Sequence, residues 1–400
     1  MRTVVGMGAL TLLIAVGAGA CTGNLGGQGA DGSGPGGIGD GDGPGSDGDG
    51  PGGDGDGGAA PEPTILDERV TDYYEALRLA AVKLTDAPPT LEQIRSLETA
   101  DDPEAAYETL VDEFLDSPRF HRRMIRFWRD TFRLGGDATL DTGPVFAARL
   151  MDEGRPYTDL FTATENTCPS YDQGNDAFVD GDCDNGVDVH AGLLTNPGVQ
   201  SHFYANMAFR RVRWVQEIFA CSKFPAEYRE DPEDRGNGQY TAPWDFETIA
   251  AAPIDFLDTS SVVCANCHAT MNRLAPLFLN FDENGMLQAE GQVMTPTAPD
   301  PTVTTRDHLL PDGVGTAWRR GVEVSTLPEL GAALADDDTV AACLSARLWN
   351  FTMSKEDIVS GLAVVPAEVV GPYVTELLNN GGDMRAVLRA MLLSEDFVSF

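Results

Sequence analysis

Residues 106–135 read AYETLVDEFLDSPRFHRRMIRFWRDTFRLG. Ser117 followed by Pro118 is a helix start. The serine oxygen can accept from the free N–H groups of the first turn, and proline needs no N–H there. From that start Phe120, Met124, Phe127, Trp128 and Phe132 recur at helical spacing, so one face is apolar and aromatic. Such a stripe is a core face. Asp102-Pro103 gives the same signal one helix earlier, and Thr90-Leu-Glu-Gln93 is a capping box. Upstream, Val70, Tyr73, Leu77, Ala80 and Leu84 fall three and four residues apart. Downstream, helices are predicted over 327–336, 338–350, 354–363, 366–379 and 383–395, with Gly381-Gly382 as a stop before the cap Asp383. Long alternating strand patterns are scarce. The fold class is mainly α, a multi-helical globular region.

That region does not fill the chain. Of 44 glycines in 400 residues, 19 lie in residues 22–60, so the remainder has an ordinary globular composition. The Gly/Asp/Pro tract, with units such as GDGDGPGSDGDGPGGDGDGG, has no recurring apolar residue that could build a core. It reads as a disordered, self-repelling tether with a mean span of roughly 35 Å. The 63 acidic against 27 basic side chains give a formal charge of −36. Phosphate backbones and anionic surfaces would be repelled, which excludes nucleic acid as a main partner.

Residues 1–20 read as a lipoprotein signal peptide. Arg2 supplies the positive end, Val4 to Val16 the apolar stretch, and Gly17 to Ala20 the small residues before a cleavage point. A small-residue run ending in Cys21 resembles the lipobox of bacterial lipoproteins. That resemblance implies lipidation of Cys21 and a membrane partner through several acyl chains. The expected address is an exported, membrane-anchored lipoprotein, in the periplasm or at the cell surface.

LTDAPPTLEQI (84–94) with the 106–135 stretch resembles one of the planctomycete-type cytochrome-associated domain families. HAGLLTNPGV (190–199), RRVRWVQEIFAC (210–221) and CANCHATMNRLAPLFLNFDENG (264–285) are similar to the next part of the same set. DGVGTAWRRGVEVSTLPELGAAL (312–334) and GGDMRAVLRAMLLSEDF (381–397) are similar to its C-terminal part. The pieces stand in family order. The expected organisation is signal peptide 1–20, tether 21–63, an N-terminal helical domain 64–165, a central domain 166–300 and a C-terminal helical domain 301–400. Those families are of uncharacterised function, so the resemblance implies architecture and a haem-like motif rather than a reaction.

Cys264-Ala-Asn-Cys267-His268 carries the clearest chemistry. Two cysteines three apart can form thioethers to both vinyl groups of one haem, and the adjacent His268 then presents an imidazole to the iron. Haem c is the expected cofactor, with Met294 as the second axial ligand from a proline-bounded loop over 286–308. That loop also holds Met286 and His308. The other readings of the pair are a dithiol, half of a zinc site, or a structural disulfide. Cys168 and Cys183 flank an acidic loop and could close it. Cys221 and Cys343 sit at the ends of two expected helices, and export favours disulfides. The alternative is a free buried cysteine at each position. Within the acidic loop, Asp176, Asp180, Asp182 and Asp184 concentrate hard oxygen ligands, which makes calcium a second expected cofactor. His121, His190, His202 and His308 are isolated and read as core or surface residues.

The expected function is an exported, lipid-anchored c-type haem protein in electron transfer, with a redox partner protein, or the redox part of a surface assembly. One alternative is a non-enzymatic scaffold lipoprotein with CxxC as a disulfide. Another is a haem-dependent oxidoreductase.

Overall fold

The computed structural model describes residues 68–204, 208–222, 270–295, 298–304, 309–310, 312–357 and 365–400. Among these, helix dominates, and the strands form two short hairpins. Cys21 and the tether lie outside the described residues, as do Cys264, Cys267, His268 and His308.

The first four helices are α1 (Tyr73–Thr85), α2 (Leu91–Glu98), α3 (Pro103–Leu115) and α4 (Pro118–Phe132). Each begins where its cap chemistry predicts. The Asp72 carboxylate accepts from the N–H groups of Tyr74 and Glu75, and Thr90 and Gln93 complete a reciprocal capping box. Asp102 and Ser117 cap α3 and α4 ahead of their prolines. The aromatic face of α4 is buried as its spacing requires, with Phe120, Phe127, Trp128 and Phe132 all in the core. It packs against α1 and against α5 (Thr142–Asp152). α5 is buried almost all round, from Gly143 to Met151, which suits a central helix.

After α6 (Asp159–Thr162) comes a hairpin of β1 (Ser170–Asp172) and β2 (Ala177–Val179), with Tyr171 opposite Phe178. A 3-10 turn at Gly192–Thr195 leads into α7 (Pro197–His202) and α8 (Phe209–Phe219). The C-terminal part holds α9 (Leu327–Ala335), α10 (Asp338–Thr352), α11 (Ala367–Asn379), α12 (Met384–Leu392) and α13 (Glu395–Val398). α9 crosses α6 so closely that a Cβ on Gly331 would lie 2.0 Å from the Phe161 carbonyl oxygen.

Two expectations are corrected. The proline-bounded loop over 286–308 contains a second hairpin, β3 (Gly291–Thr295) with β4 (Ala298–Thr304), irregular in register between Val293 and Thr295. Met294 therefore sits in a strand, at that irregularity. Pro299 and Pro301 are tolerated because both strands of a two-stranded ribbon are edges, where a missing N–H can face outward. The helix expected over 354–363 does not begin there. Ser354 takes φ +55°, and 354–357 are turn and irregular chain. The left-handed residue ends α10 instead, with Lys355 N–H returning to the Asn350 carbonyl. Residues 358–363 of that expected helix lie outside the described residues.

Thr64–Phe400 forms one compact unit. A single apolar cluster draws on α1 to α5, α8, the 274–281 stretch, α9, α10 and α12. The first and last described segments meet at its edge. Val70 and Phe400 exchange two backbone hydrogen bonds of 3.0 Å, and the Tyr107 hydroxyl donates to the Leu392 carbonyl at 2.9 Å. Arg389 grips Asp112 with two hydrogen bonds between α12 and α3.

Candidate functional site

The CxxCH motif lies between Ser222 and Thr270, and the described residues on either side of it are held by two buried arginines and a disulfide. On the near side, Cys221 is bonded to Cys343 of α10, with Cα atoms 5.4 Å apart. Both sulfurs are buried beside Ala346 and Val370. One turn along α10, Arg347 caps the end of α8. Its guanidinium donates to the carbonyls of Glu217 at 2.9 Å and Ile218 at 3.3 Å, and makes two hydrogen bonds to Asp357. Burial pulls the Arg347 pKa down, and Asp357 opposes that. Glu217 is itself buried and receives Arg133, just past the end of α4, and Arg213 of α8.

On the far side, Arg211 holds the chain that follows the motif. It is 2% exposed, yet it makes five hydrogen bonds to carbonyl oxygens. Two go to Gln200 at the end of α7. The others go to Phe278, Phe281 and Asp282. Burial lowers its pKa to about 10. The Phe281–Gly285 turn is a second fastening. The Asp282 carboxylate accepts from the N–H groups of Asn284 and Met286 and from the Gln288 amide. Gly285 has φ +76°, and a Cβ there would lie 2.3 Å from the Pro197 carbonyl oxygen. Asn185 reaches over to donate to the Gly285 and Thr195 carbonyls at 3.0 and 2.9 Å.

The acidic loop is closed by the Cys168–Cys183 disulfide. The structure joins those two cysteines but does not gather the four aspartates. Asp176 pairs with Arg122 of α4 and accepts from the Tyr171 hydroxyl at 3.3 Å. Asp180 pairs with Arg149 of α5 at 2.7 Å. Asp182 accepts from the Asn166 N–H, and Asp184 is exposed. Among the described residues no group of three or more His, Cys, Asp or Glu side chains could hold a metal ion. The arginines of α4 and α5 take the carboxylates in different directions.

The histidines are placed individually. His190 is buried, its ring nitrogens 3.0 Å from the Cys183 carbonyl and 3.3 Å from the Thr195 hydroxyl. His121 pairs with Asp152 at 2.9 Å, under the β1–β2 hairpin. Burial, with Arg210 nearby, lowers the pKa of His202. Nothing in the sequence marks Arg347 as a fastening residue, and little marks Arg211. The one signal available was that Arg211 falls four and seven residues before Val215 and Ile218, on the apolar face of its helix, where an unpaired charge could not be buried.

The fold is thus a disulfide-braced, multi-helical unit built around the flanks of a CxxCH motif. The chain belongs to the PSCyt2 family, described as a protein of unknown function (DUF1549), whose model matches residues 65–272. No curated protein and no solved structure matches the chain.

Proposed function

We propose that the protein is an exported, lipid-anchored carrier of covalently attached haem, with Cys264 and Cys267 as the attachment points and His268 as an iron ligand. The observation that carries this reading is an account of the cysteines. The chain has seven. Four are consumed by Cys168–Cys183 and Cys221–Cys343. Cys21 belongs to the lipobox-like run. Only the pair next to His268 remains. Two disulfides also suit an oxidising compartment outside the cytoplasm, and that is where haem is attached to such pairs. A haem held this way supplies one-electron transfer to a partner protein. The chain's own part is to fix both flanks of the motif, through Arg347 and the Cys221 disulfide on one side and Arg211 on the other. Met294, in strand β3, would supply the second protein ligand to the iron.

The test is an absorbance spectrum of the full chain produced with a cytochrome-maturation system. A Soret and an α band that stay with the denatured chain are expected. The Met294→Ala variant should change the ligand-field bands without detaching haem. Replacing Cys21 by alanine should release the protein from membranes or trap its precursor. Absence of haem bands transfers the assignment to a scaffold lipoprotein in which Cys264 and Cys267 form a third disulfide. The two disulfides already bracing the fold favour that second reading.

A further inference from the structure

We propose that Lys83 is a reactive amine site for small aldehydes, seated where α1 and α4 meet the end of α10, with the Ser354 hydroxyl beside it as a proton relay. The chain is almost free of lysine. Of 27 basic residues only Lys83, Lys223 and Lys355 are lysines, and the other 24 are arginines. Arginine stays charged at any ordinary pH, whereas a lysine amine can be made neutral by its surroundings. Lys83 has such surroundings. It is half-buried, and its Nζ donates to the Phe351 carbonyl at 3.0 Å and contacts the Ser354 hydroxyl. No carboxylate pairs with it among the described residues. Its charged neighbour on α4 is another cation, Arg123, whose guanidinium lies 4.8 Å from the centre of the Phe351 ring. The Lys83 amine lies 5.9 Å from the same ring. Asp86, at the end of α1, is engaged by Arg123 and Arg126. Burial first, and Arg123 second, lower the Lys83 pKa to about 8. Ser354 is exposed and held at φ +55° by the turn that ends α10, which keeps its hydroxyl at the amine.

The chemistry follows from that arrangement. The neutral Nζ donates its electron pair to the aldehyde carbon, forming a C–N bond while the carbonyl pair moves to oxygen. Ser354 passes a proton from nitrogen to that oxygen. The nitrogen pair then expels that oxygen as hydroxide, which takes the remaining nitrogen proton and leaves as water, giving an imine. One aldehyde and one amine give one imine and one water, and nothing is oxidised or reduced.

The test uses the folded full chain with acetaldehyde, cyanoborohydride as the trapping reductant, and peptide mapping of the alkylated lysines between pH 6 and 9. At pH 7.5 an amine titrating near 8 is roughly a quarter neutral, against about a thousandth for an ordinary lysine. Neutral amines of low pKa are weaker nucleophiles, so an advantage of about ten-fold for Lys83 over the exposed Lys355 is expected. Unfolding in urea should abolish that advantage. Arg123→Gln should move the plateau of Lys83 labelling to higher pH. Ser354→Ala should slow the labelling and leave its pH profile in place. Equal labelling of Lys83 and Lys355 in the native chain, or the same ratio in urea, overturns the proposal, whether or not the variants fold.

Discussion

Among the described residues, Arg211 joins distant stretches of chain through one side chain. Five hydrogen bonds from one buried guanidinium tie the end of α7 to the Phe278–Asp282 stretch. Replacing it by Met removes the charge but leaves carbonyls without donors, and a lysine cannot span them. Arg211→Met should therefore cost about 3–5 kcal/mol in urea unfolding, and Arg211→Lys should recover little of it. Gly285 makes a comparable demand of opposite kind. Its positive φ and the Pro197 oxygen leave no room for a methyl group. Gly285→Ala should lower the melting temperature, and a neutral result in a thermal scan would contradict the close approach. Lys83 gives a pH signature. Its pKa falls from 10.5 to about 8 on folding, so between those values the unfolded chain binds more protons. Stability contributed by this site must rise with pH across that window. Comparing unfolding free energies of the native chain and Lys83→Met from pH 7 to 10.5 isolates it: the difference should change with pH only above about pH 8.

At the scale of elements, the two disulfides do different work. Cys168–Cys183 closes a short loop around the β1–β2 hairpin, whereas Cys221–Cys343 spans 122 residues. In the chain-entropy account they restrict the unfolded chain by about 3 and nearly 5 kcal/mol respectively. Paired serine substitutions should reproduce that order in denaturant midpoints, with the 221–343 pair the more damaging. The starts of α2, α3 and α4 were legible in the sequence because a cap is a local device: Thr90, Asp102 and Ser117 bond within their own first turn. The β3–β4 hairpin was not, because Pro299 and Pro301 signal a loop wherever the partner strand is unknown. The disulfide partners were legible from the positions of the cysteines. Arg211 and Arg347 were not, since their acceptors are carbonyls far along the chain. The CxxCH motif was readable as chemistry, but its surroundings rest on those distant contacts.

For the whole molecule, the decisive feature is that one core spans the compact unit. Helices α3 and α12 are joined by Tyr107 to Leu392 and by Asp112 to Arg389, across more than 270 positions of sequence. The expected result is a single cooperative transition for residues 64–400, with tryptophan fluorescence and far-ultraviolet circular dichroism coinciding. Two separated transitions would show that the shared core does not couple its parts.

The pairing of the first and last described segments has a mechanical consequence. Val70 and Phe400 bond to each other, and Asp72 N–H reaches the Val398 carbonyl at 2.8 Å. The two segments run antiparallel, so a load applied at residue 68 and at residue 400 pulls on the same end of the ladder. The bonds then meet the load one after another rather than sharing it, as in the opening of a zipper. Stretched between these two points in an optical trap, the unit should yield first at Val70–Phe400 and at low force. Stretched between residue 68 and a handle on the α4–α5 connection, it should hold longer, because the aromatic face of α4 must then slide as a whole.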